Sequence, residues 1–397
     1  MGELGNIIDY RWLVSSEAAP WLERAAEAEE TPESLLKTNI ALRGDLGTQR
    51  THLVIAQIQL RRRARQKFRQ ADRMFFTRQL LEQATEERIA KYKAARFPQQ
   101  GHLLDLCCGI GGDLISLGLR ATTQGVDRDE VATTLAMANC ETLDLKSASV
   151  LVDDAAQVAV DDFTAWHLDP DRRPEGHRST RLTLHEPDLS SMERLLSTNQ
   201  QAAIKLASAT GVPDSWKAEA ELEWISTRGE CRQQVAWFGD LARTPGQRAA
   251  TVIIDGSVNA CTVRGEPNLV TPTASQVGRY VFEPNAAVLA ASLTGQLAIE
   301  AELEAIAANI PYLTGDQPVD NPLLAGFEVV ETMPFTIRRV RQYLRKQGIG
   351  RLEVKKRGVR LTPEHVLAEL SPTGDRAATL LLMPINKKIL AIICQRL

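Results

Sequence analysis

Apolar positions along the 397-residue chain follow three successive rhythms. From residue 15 to 97 they recur at helical spacing with no strand signal. Leu53, Ile55, Ile58, Leu60, Phe68, Phe75, Leu80, Leu81 and Ile89 carry the longest such run, between Thr48 and Tyr92. Phe97-Pro98 and Gly101 close this region. Short apolar runs then alternate with helical ones. Strands are predicted at 103–106, 123–127, 148–152, 163–169 and 201–207, with helices at 114–119 and 130–143 between the first three. Segments 222–226, 231–238 and 249–255 supply further strands, and the Pro-, Thr- and Gly-rich stretch 259–279 marks a boundary region. The third rhythm is mixed. Residues 287–309 repeat alanine with leucine and isoleucine at helical spacing. Residues 335–347 form an amphipathic helix with Ile337, Val340 and Leu344 on one side and arginines elsewhere. A strand at 351–355, a helix at 362–370 and a hairpin from 379–383 and 389–394 follow. The pattern predicts an N-terminal helical domain (1–97), an α/β domain with a doubly wound, Rossmann-like sheet (98–285) and a small α+β module (286–397).

Residues 103–114 read Leu-Leu-Asp-Leu-Cys-Cys-Gly-Ile-Gly-Gly-Asp-Leu. A buried strand ends at Leu106. Gly109, Gly111 and Gly112 let the backbone turn and approach a ligand, and a helix restarts at Leu114. This is the construction of a nucleoside-cofactor site at the carboxyl end of a parallel sheet. A dinucleotide fingerprint begun at Gly109 needs glycine where Leu114 stands. An acidic strand end, Asp105, followed by G-x-G-G resembles instead motif I of the class I S-adenosylmethionine (SAM) methyltransferases. Their ligand has no pyrophosphate to cradle, and carboxylates suit its cationic amino group.

Two more strand ends are acidic. Asp127 stands about 20 residues on, where a carboxylate accepts ribose hydroxyls. The third strand ends in Asp153-Asp154-Ala155. In the methyltransferases a strand ending in Asp-Ala supplies the acceptor for the adenine amino group, a place that Asp154 fits best, with Asp153 the alternative. The fourth strand ends in Asp169-Pro170-Asp171-Arg172-Arg173. Amino-methylating enzymes place N/D-P-P-Y/F/W there, over the methyl group. Asp169 and Pro170 keep that pattern, while Asp171 and Arg172 replace the second proline and the aromatic. An arginine plane stacks a base or grips a phosphate; it equally serves a salt bridge.

The net charge of −3 conceals a segregated distribution. Between Arg50 and Gln100 stand 13 basic and 4 acidic residues, and between Phe335 and Arg360 there are 10 basic residues against Glu353 alone. Two local positive potentials of this kind suit a polyanion, and they equally suit solvated helix faces. The six cysteines lack metal-like spacing and read as reduced, buried thiols, which points to a cytoplasmic protein without a structural metal. None lies beside the acceptor loop in sequence, which argues against a nucleophilic cysteine. No apolar run has membrane-spanning length, and the N-terminus lacks a signal-peptide pattern.

From about residue 50 onward the chain resembles a bacterial family of SAM-dependent methyltransferases with a C-terminal THUMP-like domain. The resemblance rests on Lys67-Phe68, Met74-Phe-Phe-Thr-Arg78 with Leu81-Glu-Gln-Ala-Thr85, motif I, and Asp169-Pro-Asp-Arg-Arg173 followed by Gly176 and Arg178. Further on it rests on Ile204-Lys-Leu-Ala207, Glu223-Trp-Ile-Ser226 with Gly229-Glu230, Phe282-Glu-Pro284, and Lys356-Arg-Gly358. The family's usual loop reads D-P-A-R-R, so Asp171 departs from it. The resemblance implies a class I methyltransferase sheet ending in an antiparallel hairpin, drawn from two of the three segments between 222 and 255. It implies SAM as cofactor and RNA as partner, because THUMP domains accompany RNA-modifying enzymes. The expected cofactor residues are Asp105, Gly109, Gly111, Gly112, Asp127 and Asp153 or Asp154. Asp169, Pro170, Arg172 and Arg173 are expected at the acceptor, with a nucleobase amine favoured. Arg62, Arg63, Arg65 and Lys67, and Arg338, Arg339, Arg341, Lys356 and Arg357, are expected to contact RNA. Two other readings stand beside this one: methylation of a small molecule or protein, and a non-catalytic RNA-binding protein with a relic SAM pocket.

Overall fold

The structure, a computed structural model, describes residues 6–29, 31–172, 179–254, 259–385 and 388–397. The chain packs as two compact units, Met1–Glu221 with Gln234–Gly246, and Leu222–Gln233 with Gln247–Leu397. This partition differs from the three segments that the apolar rhythm predicts.

The first unit begins with helices α1 (Ile7–Leu13), α2 (Ala19–Ala26), α3 (Pro32–Ala64), α4 (Arg78–Gln83) and α5 (Glu87–Ala94). Thr31 caps α3 through its hydroxyl and Pro32 opens it, and the helix is broken at Gly47, whose φ of 71° is left-handed. These helices do not form a core of their own. Leu53, Val54, Ile58, Phe68 and Phe76 pack in one cluster with Ile110, Val131 and Leu135. Asn139 ties the same elements together: its amide accepts from Phe75 N at 2.7 Å and donates to the carbonyls of Phe75 and Ile110. A buried amide with three partners offsets its desolvation cost.

The sheet of this unit contains β1 (His102–Leu106), β2 (Thr122–Asp127), β3 (Ala148–Val152), β4 (Ala165–Leu168) and β5 (Ala202–Leu206), connected by α6 (Leu114–Gly118), α7 (Glu130–Thr142) and α8 (Leu189–Thr198). A short α9 (Asp214–Glu219) follows, then β6 (Glu221–Thr227) and β7 (Glu230–Trp237). The turn between these two strands is Arg228-Gly229, both with positive φ, so the hairpin is made by the first two of the three candidate segments. The last residues of β7, from Gln234 to Trp237, lie antiparallel to β5. The strand order is β3-β2-β1-β4-β5-β7, parallel up to β5. The winding reverses between β1 and β4, so their carboxyl ends diverge into a crevice.

The second unit pairs β6 parallel with β8 (Arg248–Ile253), and β8 antiparallel with β9 (Ala260–Gly265). Part of the expected linker is therefore a strand. Beyond it lie β10 (Tyr280–Pro284), α10 (Ala286–Ala291), α11 (Thr294–Glu300), β11 (Glu304–Ala305), β12 (Leu313–Gly315) and β13 (Leu324–Pro334). The helical run expected over 287–309 is thus two short helices and a strand, interrupted at Ser292 with φ 60°. Gly295 explains the tight path, because a Cβ there would lie 2.0 Å from the Leu269 carbonyl. The chain ends with α12 (Ile337–Gln347), β14 (Ile349–Lys356), α13 (Pro363–Leu370), β15 (Arg376–Ile385) and β16 (Lys388–Arg396). The second sheet runs β11-β12-β10-β13-β16-β15-β14, antiparallel except for β14–β15. Both of its faces are covered. Leu380 and Leu382 pack with Val340 and Leu344 of α12, while Leu381 and Met383 pack with Phe327 and Tyr312.

Candidate functional site

A cleft of about 1010 Å³ opens in the first unit at the crevice between β1 and β4. The motif I turn forms one wall. Cys107, Gly109 and Gly111 all take left-handed φ (57°, 54° and 87°), which folds the backbone back after β1. Side-chain space above Gly109 is empty out to Leu80 at 4.0 Å, whereas a Cβ on Gly112 would press on the Thr85 backbone at 3.2 Å. Gly109 and Gly112 line the cleft; Gly111 turns the chain behind it.

Asp127, at the end of β2, accepts hydrogen bonds from the backbone N–H of Gly109 (2.9 Å) and of Asp129 (3.0 Å). Burial raises its pKa, and the two N–H groups oppose that rise. Of the two aspartates after β3, Asp154 lines the cleft and caps the following turn through Ala156 N (2.9 Å). Asp153 is not part of the lining; its carboxylate accepts from Asp154 N at 2.7 Å.

Beneath these residues lies a buried polar chain. Asp105, 1 % exposed, bonds His167 Nδ1 at 2.7 Å. His167 Nε2 faces Lys93 Nζ at 2.9 Å, Lys93 pairs with Asp113 at 2.7 Å, and Thr85 donates to Asp113 at 2.6 Å. The second oxygen of Asp105, Oδ2, has no hydrogen-bond partner. Burial raises the Asp105 pKa, with His167 and Lys93 opposing and Asp113 adding to the rise. Burial also works against ionising Asp113, yet Lys93 and its other cationic neighbours outweigh it and hold that carboxyl well below the usual range. Burial lowers the Lys93 pKa, against the pull of Asp113.

Sequence patterning did not single out His167, Lys93 or Asp113. Asp113 directly follows the glycine triad, and His167 sits inside an otherwise apolar strand; those positions were the available signals. Lys93 gave none, because a lysine on a short helix is ordinarily solvated. Cys107 and Cys108 also line the cleft, although neither is near the acceptor loop in sequence. Burial pushes both thiols well above their usual range, so they remain protonated and poor nucleophiles.

At the far end of the cleft stand Asp169, Pro170, Asp171 and Arg172. Asp169 is paired with Lys205 of β5, which also reaches the Gln83 carbonyl at 3.4 Å. Backbone bonds between Asp171 and Glu186 (2.8 and 2.9 Å) and the Arg128–Glu186 ion pair fix this wall. Arg173, Gly176 and Arg178 lie outside the described residues.

Of the four N-terminal residues expected to contact RNA, Arg62 and Lys67 are used internally. Lys67 donates to the carbonyls of Leu81, Glu82 and Ala84 at 2.7–3.0 Å and so satisfies the C-terminus of α4. Arg62 donates to the Ala28 carbonyl. Arg61, in the same basic run, lies over Phe75 at 4.9 Å, and burial lowers its pKa to about 10. Arg63 and Arg65 are exposed, near Glu82 and paired with Asp72 respectively. In the second unit, Arg357 pairs with Glu283 at 3.1 Å, Lys356 bonds the Val359 carbonyl, and Arg341 bonds the Glu369 carbonyl. Arg338 and Arg339 face solvent on α12 with Arg345 and Lys346.

Comparison with known proteins agrees with this architecture. Residues 324–396 match the family described as THUMP domain-like. Two Mycobacterium tuberculosis proteins, from strains CDC 1551 / Oshkosh and ATCC 25618 / H37Rv, are 29% identical over 312 residues, 76% of this chain and 82% of theirs. Each is named an uncharacterized S-adenosylmethionine-dependent methyltransferase. A solved structure from Porphyromonas gingivalis W83, named as a methyltransferase, superposes with a TM-score of 0.79 at 20% identity, covering 95% of this chain and 96% of that one. The acidic strand ends, the β3-β2-β1-β4-β5-β7 order with its reversed last strand and the THUMP-like segment lead to one assignment: the chain has the class I methyltransferase fold, is similar to SAM-dependent methyltransferases over three quarters of its length, and carries a C-terminal THUMP-like domain.

Proposed function

We propose that the protein methylates a nucleobase of a structured RNA, with SAM as methyl donor and an exocyclic amine as the favoured acceptor. One observation carries the cofactor half of this reading: a buried Asp105 carboxylate oxygen without a partner lies in a cleft shared with Asp127, Gly109 and Asp154. Carboxylates at three strand ends suit the amino group, ribose and adenine of that cofactor. When bound, SAM supplies an electrophilic methyl on a sulfonium. The chain's own contribution is positioning, since an in-line displacement needs alignment above all. On this reading Asp169 and the Pro170 carbonyl orient an amine N–H, a role supported by the pairing of Lys205 with Asp169, which holds that carboxylate in place.

RNA as the partner is supported by the THUMP-like segment and by α12, whose Arg338, Arg339, Arg345 and Lys346 face solvent. Contacts of this kind position a folded RNA through its phosphates and leave base selection to the cleft. The test is transfer of tritium from methyl-labelled SAM to total cellular RNA by the purified chain, followed by nucleoside mass spectrometry. A labelled, methylated nucleoside is the expected product. SAM binding with no label in any RNA, but with label in a small-molecule or protein fraction, would overturn the substrate assignment.

A further inference from the structure

Four consecutive carbonyls at the end of α4, from Leu81 to Ala84, are held by two lysines from other elements. Lys67, beyond α3, takes those of Leu81, Glu82 and Ala84, and Lys205 of β5 reaches that of Gln83 at 3.4 Å. Thr85 fixes the next position: its hydroxyl donates to Asp113 at 2.6 Å, and its backbone leaves no room for a Cβ on Gly112. A helix as short as α4 has little stability of its own, so these contacts decide where its side chains are presented. Gln79, Leu80 and Gln83 line the cleft, and Gln79 and Gln83 stand one turn apart on the same face of the helix.

The side-chain amide of Gln83 is half-buried and makes no hydrogen bond to the described residues. The ammonium of Lys205 that reaches the Gln83 carbonyl is also paired with Asp169. Gln83 and Asp169 therefore share one cation, which sets them side by side at the acceptor end of the cleft. In that corner Asp169 and Lys205 are committed to each other, whereas the amide keeps both a donor and an acceptor free. Such an amide matches the edge of a nucleobase, where hydrogen-bonding groups stand next to one another. Every base with an exocyclic amine carries a ring nitrogen with a free lone pair beside that amine: N1 in adenine, N3 in cytosine and in guanine. A donor placed next to the group that holds the amine meets that lone pair.

We propose that Gln83 reads the acceptor base: its amide N–H donates to the ring nitrogen adjacent to the amine that Asp169 orients. The inference rests on the nucleobase-amine reading above and deepens it by naming a residue that selects and aligns the base. The donor adds no charge and leaves the amine N–H groups to Asp169 and the Pro170 carbonyl. It acts on the orientation of the base, not on the cofactor. Because the backbone beneath it is held by Lys67 and Lys205, the amide is presented with little ordering left to do on binding. Overall RNA affinity, which phosphate contacts dominate, owes little to it.

Two variants of the full-length chain test this, with methyl-tritiated SAM and total RNA from cells that lack the protein. Gln83→Met keeps the length of the side chain without a polar group, and Gln83→Glu keeps its shape with acceptors only. Each is expected to lower turnover by about tenfold or more, the loss of one hydrogen bond in a site that excludes water. Affinity for total RNA should change little. Affinity for S-adenosylhomocysteine, the demethylated cofactor, measured by calorimetry, and the thermal midpoint should match wild type, because the amide has no partner within the protein to lose. Wild-type turnover in Gln83→Met would overturn the inference, and so would wild-type turnover in Gln83→Glu, since no donor would then be required. A loss of S-adenosylhomocysteine affinity as large as the loss of turnover would place Gln83 against the cofactor and overturn it as well. In these three cases RNA labelled by the wild type leaves the substrate reading standing. Wild-type protein that binds S-adenosylhomocysteine and labels no RNA would overturn that reading, and the inference with it.

Discussion

At the scale of single residues, the cleft consists of carboxylates held in different states by their surroundings. Asp113 is kept ionised by Lys93, and Asp105 is pushed towards its neutral form by burial. These shifts make the site pH-dependent in a definite direction. The Asp105 pKa is raised in the free protein, and a cationic ligand binds the carboxylate form. Affinity for S-adenosylhomocysteine is thus full above the raised pKa and lost as pH falls through it, by at most about tenfold per pH unit. 5′-Methylthioadenosine, which carries the same nucleoside without the amino-acid arm, should show no such loss, a contrast that calorimetry across pH reads directly. Asp113→Asn leaves Lys93 buried beside no anion of its own and should lower stability by about 3 kcal/mol in urea denaturation. Asp169 is expected to behave differently. Asp169→Ala should reduce turnover by orders of magnitude with little change in SAM affinity, because its contact belongs to the acceptor. Equal losses of binding and turnover would move Asp169 into the cofactor pocket.

Elements decide which charges are available. The basic run at the end of α3 is divided by its tertiary neighbours, which leave Arg63 and Arg65 exposed and occupy Lys67. Once α4 packs beside it, Lys67 becomes the cap of that helix, with three carbonyls as partners. Lys67→Met should therefore cost about 1–3 kcal/mol of stability, seen in the urea midpoint, and leave RNA affinity unchanged. Helix α12 is the opposite case. Its apolar side, Val340 and Leu344, is packed on the sheet, and Arg338 and Arg339 are left to solvent. Arg338→Ala with Arg339→Ala should weaken RNA binding across sequences and reduce the slope of log affinity against log salt by about 2. A slope unaffected by the pair would return α12 to an ordinary solvated face.

At the scale of the whole molecule, net charge says little. A value of −3 coexists with an arginine-lined helix surface and with a cleft lined by Asp105, Asp113, Asp127, Asp154 and Asp169. The first unit's succession of strands and helices, its glycine turn and its acidic strand ends follow from local pattern, because strand period, left-handed glycines and strand-end aspartates are short-range features of the chain. Asp105, Asp127 and the Asp153-Asp154 pair could be read that way as candidates. So could the helix at 337–347 and the terminal hairpin. Tertiary structure alone decided that Asp154 rather than Asp153 lines the cleft, that β6 and β7 form the hairpin, and that the N-terminal helices share the core of the sheet. It alone decided the fate of the buried charges. Lys93 and His167 stand 74 positions apart, and Asp105 and His167 62 apart. Whether a lysine is a solvated surface charge or a buried partner depends on which groups of other elements meet it, and side-chain periodicity along one segment carries no information about that.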